Sequence, residues 1–168
     1  LPAGQLMPLW LALLAAMDPE QGQEGVVSAG EDFAGYEAIG LTLAERCFGQ
    51  GRPGLLLTAS ASPALKVMPA LWAAQWRRPF VFVTGECPSN AERGTVQDSR
   101  GIYGPSLVGM TAHLTVSDSG ADGSFYLDDP VTAREALMRA PAIALEHQKA
   151  VHLNIPLDVQ AAIFGAKS

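Results

Sequence analysis

The sequence predicts an α/β fold: a doubly wound, mainly parallel six-stranded sheet with helices on both faces, forming one domain over residues 1–168. Two observations carry this. Short apolar runs bounded by Gly or Pro alternate with stretches of helical periodicity, and that alternation implies parallel strands joined by crossover helices. The runs are apolar at almost every position, as in strands covered on both faces, and do not alternate as half-exposed strands do. With 48% hydrophobic and 17% charged residues, the chain has the material for one core of ordinary size.

Taken in order, Leu6, Leu9, Trp10, Leu13, Leu14 and Met17 fall on one face of a helix. A polar loop over Asp18–Gly25 leads to a short strand, Val26–Ala29, and a helix over Glu31–Phe48 with Ala34, Ala38 and Leu41 in one stripe. Gly49, Gly51 and the Gly51-Arg52-Pro53-Gly54 turn stop it. Leu55–Ala59 is a buried strand, and Pro63 suits the first turn of the next helix, where a missing N–H costs nothing. Phe80–Thr84 is the clearest strand, β-branched and aromatic throughout. The polar stretch from Gly85 to Gly101 is longer than an ordinary connection and reads as a functional loop. A strand over Ala112–Val116, a helix over Pro130–His147 bent at Pro141, and a last strand over Val151–Ile155 complete the pattern. These make five strands; the sixth is expected before Leu1.

Several function classes fall away. A net charge of −6 lacks the basic footprint of a nucleic-acid binder. The longest apolar stretch, Leu6–Met17, is too short for a membrane span and contains Pro8; with nothing basic before it, it does not read as a signal peptide. Two cysteines, Cys47 and Cys87, have no metal-ligand spacing and form no disulfide framework, which predicts a cytoplasmic protein. No Gly-x-Gly-x-x-Gly follows a strand, and there is no Gly-Lys-[Ser/Thr] loop and no Gly-x-Ser-x-Gly elbow.

Open α/β sheets bind ligands beyond the carboxyl ends of their strands. Three stretches there carry chemistry: Ala29-Gly30-Glu31, Ala59-Ser60-Ala61-Ser62-Pro63, and Thr84-Gly85-Glu86-Cys87-Pro88 running on to Arg93 and Gln97. Each has a plainer reading. Glu31 complements a helix dipole, Ser60 and Ser62 cap a helix, Gly85 serves a turn, and Cys87 is a small buried hydrophobe. His113 and His152, in apolar runs, read as hydrogen-bonded structural residues, and Arg77-Arg78 as a solvated helix end.

The order of the pieces is more specific than any one of them. Leu1-Pro2-Ala3-Gly4 precedes an apolar helix, and Glu31 is followed nine residues later by Gly40. Gly51-Arg52-Pro53-Gly54, a strand, and Ala59-Ser60-Ala61-Ser62-Pro63-Ala64-Leu65-Lys66 then run on without a gap. Thr84-Gly85-Glu86-Cys87-Pro88 and Gln97-Asp98 come next, and Val151-His152-Leu153-Asn154-Ile155-Pro156-Leu157-Asp158-Val159-Gln160 closes the series. Over nearly its whole length the chain resembles the pyrimidine-binding, amino-terminal domain of thiamine-diphosphate-dependent enzymes, in the acetolactate-synthase-like branch. The last motif is the strongest match. The chain departs from the family where a glycine-rich loop has become Ala61-Ser62-Pro63, and where Lys66, Val96 and Gly30 replace Asn, Phe and His.

The resemblance implies a catalytic Glu31 that shares a proton with the pyrimidine N1′ of thiamine diphosphate, helped by a poorly solvated cleft that raises its pKa. It implies cofactor contacts from Ser60, Ala61, Ser62 and Gly85, with Ala3, Gly4 and Gln97 on the substrate side. The implied enzyme decarboxylates a 2-oxo acid and protonates or carboligates the resulting carbanion. The chain has no Gly-Asp-Gly signature for the diphosphate and Mg²⁺. A partner subunit in a hetero-oligomer is therefore expected to carry both, with no metal ligand on this chain. A non-catalytic assembly subunit with the same fold is the alternative expectation.

Overall fold

The computed structural model describes residues 53–58, 77–91, 100 and 106–163, with only the backbone at 57 and 58. Four strands form one sheet in the order β1-β2-β4-β3, every neighbouring pair parallel: β1 (Gly54–Thr58), β2 (Phe80–Glu86), β3 (Phe125–Tyr126) and β4 (Ala150–Pro156). Three helices accompany them: α1 (Leu107–Thr111), α2 (Pro130–His147) and α3 (Leu157–Ile163). The fold is thus α/β with a parallel sheet. The expected helices near residues 6–17, 31–48 and after Pro63, and the strand at 26–29, lie outside the described residues.

The β2–β4 pair is the spine of the sheet, with Phe80 opposite Ala150 and Glu86 opposite Pro156. Side chains alternate across it. Val81, Val83, Val151, Leu153 and Ile155 join Leu55 in a core closed by Ala133, Leu137, Ala140 and Ala144 of α2 and Val159 of α3. The other face carries Leu56, Phe80, Phe82, Thr84, His152 and Asn154, all at most 1% exposed. Helix α1 meets this second face, where the Thr111 hydroxyl lies 2.7 Å from His152 Nδ1. Helices therefore cover both faces among the described residues.

Helix α2 starts where its sequence signals place it. Asp129 caps it by accepting from Thr132 N–H at 2.8 Å, and Pro130 occupies the first turn. Pro141 lies buried inside the helix and leaves the Leu137 carbonyl without its helical donor. Gln148, at φ 52°, ends the helix in the left-handed region, with its N–H donating to the Ala144 carbonyl.

Two expectations change. The segment 112–116 is not a strand: Ala112–Leu114 forms a 3-10 turn, and only Thr115 bridges to Ala150 in the sheet. The Thr115 hydroxyl lies 3.0 Å from the Thr111 carbonyl and 2.7 Å from that of Gly123, which holds the chain in a turn. Phe125–Tyr126 takes the edge position beside β4 instead. Gly85, moreover, is not a turn residue. Strand β2 runs on through Gly85 and Glu86 because Ile155 and Pro156 continue the pairing.

Candidate functional site at the carboxyl edge of the sheet

After β2 the chain goes on to α1 on the second face, whereas after β4 it enters α3 on the first. Adjacent strands whose continuations part in this way leave a crevice between their carboxyl ends, the usual ligand position in open α/β sheets. In this sheet that edge is marked by Glu86 and Pro156, the last pair of β2 and β4.

On its second-face side the row Thr84, Asn154, Tyr126 crosses three strands, since Asn154 pairs with Thr84 on one flank and Tyr126 on the other. Glu86, two residues beyond Thr84, is 5% exposed, and its Oε1 accepts the Cys87 N–H at 2.8 Å. The Tyr126 phenol is pushed above its ordinary pKa, first by partial burial and then by the Glu86 and Asp128 carboxylates, against the opposing pull of Arg100, which also hydrogen-bonds to it.

The loop leaving β2 is tied down at this edge. Asp158, in the first turn of α3, accepts the Ser89 N–H at 2.8 Å and the Ser89 hydroxyl as well. Arg100 returns from the far end of the loop to donate to the carbonyls of Ser89 and Ala91, each at 3.2 Å. Burial is the largest single influence on Asp158 and pushes its pKa up. The hydrogen bonds from Ser89, with those from its own and the Val159 N–H, outweigh it and hold the carboxyl below its usual value.

Behind the row lies a buried polar chain. His152 Nε2 is 2.9 Å from the Thr84 hydroxyl, and the Asn154 amide donates to that hydroxyl at 2.8 Å. On the other side of the ring, Thr111 lies within bonding distance of His152, Ser124 and the Leu107 carbonyl. Full burial lowers the His152 pKa from 6.5 to about 3, so the ring is neutral at ordinary pH. A neutral ring has one donor and one acceptor. If Thr111 gives its proton to Leu107, Nδ1 must donate to Thr111, and Nε2 then accepts from Thr84. Thr84 in turn accepts from the Asn154 amide. This arrangement gives each ring nitrogen and both hydroxyls a consistent role, and among the described residues Asn154 Oδ1 has no partner. Gln160, 2% exposed, shows the same pattern: its amide donates to the Ile155 carbonyl at 2.6 Å while Oε1 has no partner among the described residues.

Of the expected site residues, Gly85 sits at this edge, buried within β2 opposite Ile155. Glu31, Ala3, Gly4, Ser60, Ala61, Ser62 and Gln97 lie outside the described residues. His152 is the hydrogen-bonded structural residue expected of it. His113 is not: its side chain is 86% exposed, with Nδ1 3.8 Å from Asp122. Cys87 is partly exposed and not a core residue. The edge also holds Glu86, Asn154, Tyr126, Arg100 and the Ser89–Asp158 clasp, none of which had been singled out as a site residue. Glu86 and Asp158 stand inside quoted motifs, whereas nothing in the sequence marks Tyr126 or Arg100. No group of three His, Cys, Asp or Glu able to hold a metal ion occurs among the described residues, and no helix among them is long and apolar enough to cross a membrane. Comparison with models of protein families and with curated proteins gives no match for this chain.

Proposed function

We propose that the chain is the pyrimidine-binding subunit of a split thiamine-diphosphate-dependent enzyme of the cytoplasm. The enzyme decarboxylates a 2-oxo acid and then protonates or carboligates the product. A partner subunit supplies the site for the diphosphate and Mg²⁺, because the sequence has no Gly-Asp-Gly signature for them. The observation that carries the reading is the meeting of two motifs distant in sequence. Where the Thr84–Pro88 and Val151–Gln160 motifs run as strand they lie side by side, with Thr84, Gly85 and Glu86 of β2 opposite Asn154, Ile155 and Pro156 of β4, and Asp158 beyond β4 holds Ser89 beyond β2. Both motifs then reach one edge of the sheet, as a shared ligand site requires.

Gly85 fits the cofactor in one respect: near the carboxyl end of β2 it offers main chain without a side chain, against which a flat ring could lie. Ser60, Ala61 and Ser62 would orient the same ring, with Ala3, Gly4 and Gln97 toward the substrate. Thiamine diphosphate, when bound, supplies the carbon nucleophile and electron sink for decarboxylation. The chain's own task is to hold and move a proton at N1′ through Glu31.

Glu31→Gln in the complex reconstituted with the partner tests this. The amide keeps the volume but exchanges no proton, so turnover of 2-oxo acid should fall roughly 10²–10⁴-fold. Folding stability should change by no more than about 1 kcal/mol, the scale of a helix-dipole interaction. Turnover near that of the unaltered complex overturns the reading. The second reading, an assembly subunit, is favoured by Ala61-Ser62-Pro63 in place of a glycine-rich loop. It predicts that the complex forms normally and that Glu31→Gln leaves its activity unchanged.

A further inference from the structure

On the opposite face of the sheet from the Thr84–Asn154–Tyr126 row, α2 and β3 do not close fully on one another. A cavity of about 140 Å³ remains between them. Its inner walls are apolar: Phe125 and Leu153, paired across β3 and β4, with Leu127 and with Ala136 and Ile143 of α2. Leu153, Leu127 and Ile143 are 1%, 4% and 7% exposed. The polar lining is at the mouth, where Thr132, Glu135, Asp118 and Arg139 are exposed. Arg139 and Asp118 form an ion pair there, with side chains 63% and 45% exposed.

Packed interiors leave few voids larger than a water molecule. Its volume approaches the roughly 150 Å³ of apolar cavities that take up benzene, while its mouth is open to solvent. An ordered water needs two to four polar partners, which the side chains of the inner walls do not supply. A hydrocarbon body of about six carbons fits both the volume and the lining. The mouth selects the head group. Two carboxylates, Asp118 and Glu135, face one guanidinium that Asp118 already engages, leaving one negative charge in excess. That excess attracts an ammonium and repels a carboxylate.

We propose that this cavity binds a small amphipathic amine, with its ring or branched body between α2 and β3 and its ammonium group beside Glu135. The site is separate from the candidate site at the carboxyl edge and does not depend on the thiamine reading.

Benzylamine, with phenylacetate as its counterpart of opposite charge, probes the proposal in methyl spectra of the full chain. Benzylamine should shift the Leu153 and Ile143 resonances saturably in the millimolar range, the strength open to so small a ligand. Phenylacetate should bind at least about tenfold more weakly, a difference of about 1.4 kcal/mol. Ala136→Leu fills the space from within α2 and should weaken benzylamine by a similar factor while the spectrum stays that of a folded protein. Glu135→Gln, at an exposed position, should narrow the preference for benzylamine over phenylacetate, and it carries the test alone if Ala136→Leu fails to fold. Absence of saturable shifts, equal binding of the two probes, unchanged affinity in folded Ala136→Leu, or an unchanged preference in Glu135→Gln overturns the proposal.

Discussion

The two faces of the β2–β4 pair are built from alternate residues of the same two strands, yet they are held by different physics. On one face Val81, Val83, Val151, Leu153 and Ile155 meet the apolar side of α2 and α3. On the other, Phe82 stacks on His152 with ring centroids 4.9 Å apart, and Thr84 and Asn154 continue a chain of hydrogen bonds. All of these residues are at most 1% exposed, so burial does not distinguish the faces. The apolar face asks only for shape and volume. The polar face asks for a partner for every donor and acceptor, since an unmet buried group costs free energy. The first supplies cohesion; the second fixes which way side chains point at the carboxyl edge.

The largest effect should come from the apolar face. Leu153→Ala removes a side chain that is 1% exposed and enlarges the space already present beside Phe125. Large-to-small core substitutions of this type cost about 2–5 kcal/mol, and with little room for collapse the upper half of that range is expected. Denaturant unfolding of the variant measures it. A loss below about 1 kcal/mol would mean that the apolar face is not where cohesion resides.

The polar face should declare itself through pH. The His152 pKa falls from 6.5 to about 3 on folding because burial disfavours the charged ring. The neutral ring's contribution is fully present above 6.5 and is lost as pH falls from there towards about 3, where the folded protein also binds the proton. Stability should therefore fall by about 1.4 kcal/mol per pH unit within that window, in addition to the effect of the carboxylates. His152→Gln keeps a hydrogen-bonding side chain but does not titrate. The difference in slope between the two proteins, from unfolding curves at pH 4–7, isolates this group; parallel slopes would refute it.

What was legible in the sequence divides along the same line. The apolar strands could be read because their β-branched and aromatic residues are a local signal, as in Phe80–Val83. The end of β2 could not: Gly85-Glu86 has the composition of a loop and becomes strand only because Ile155 and Pro156 lie beside it. Phe125–Tyr126 is too short to show a period, and its place depends on pairing with Leu153 and Asn154. The 112–116 segment has strand composition, but the Thr115 hydroxyl bonds to two main-chain carbonyls and holds it in a turn. At the candidate site, Gly85 and the 84–88 motif were visible as a pattern. The unpartnered oxygen of Asn154 and the Arg100–Tyr126 contact were not, because each depends on residues from other elements.

The smallest effect should lie at the junction of site and core. Asn154 follows Leu153 but points to the polar face, where its amide donates to Thr84 and its oxygen has no partner among the described residues. Asn154→Leu removes both. Losing the hydrogen bond costs about 1 kcal/mol, while removing an unmet buried acceptor returns about 1–3 kcal/mol. Thr84 still donates to His152, so the rest of the chain survives. The net change should lie between neutrality and a stabilisation of about 2 kcal/mol, opposite in sign to that of its neighbour Leu153→Ala. Thermal and denaturant unfolding of the two variants side by side give the comparison. A loss of more than about 1 kcal/mol in Asn154→Leu would show that a donor, such as an enclosed water, meets the oxygen, and that the polar face is fully satisfied. A gain would mark Asn154 as a residue whose second hydrogen bond is held open at the carboxyl edge, at the expense of stability.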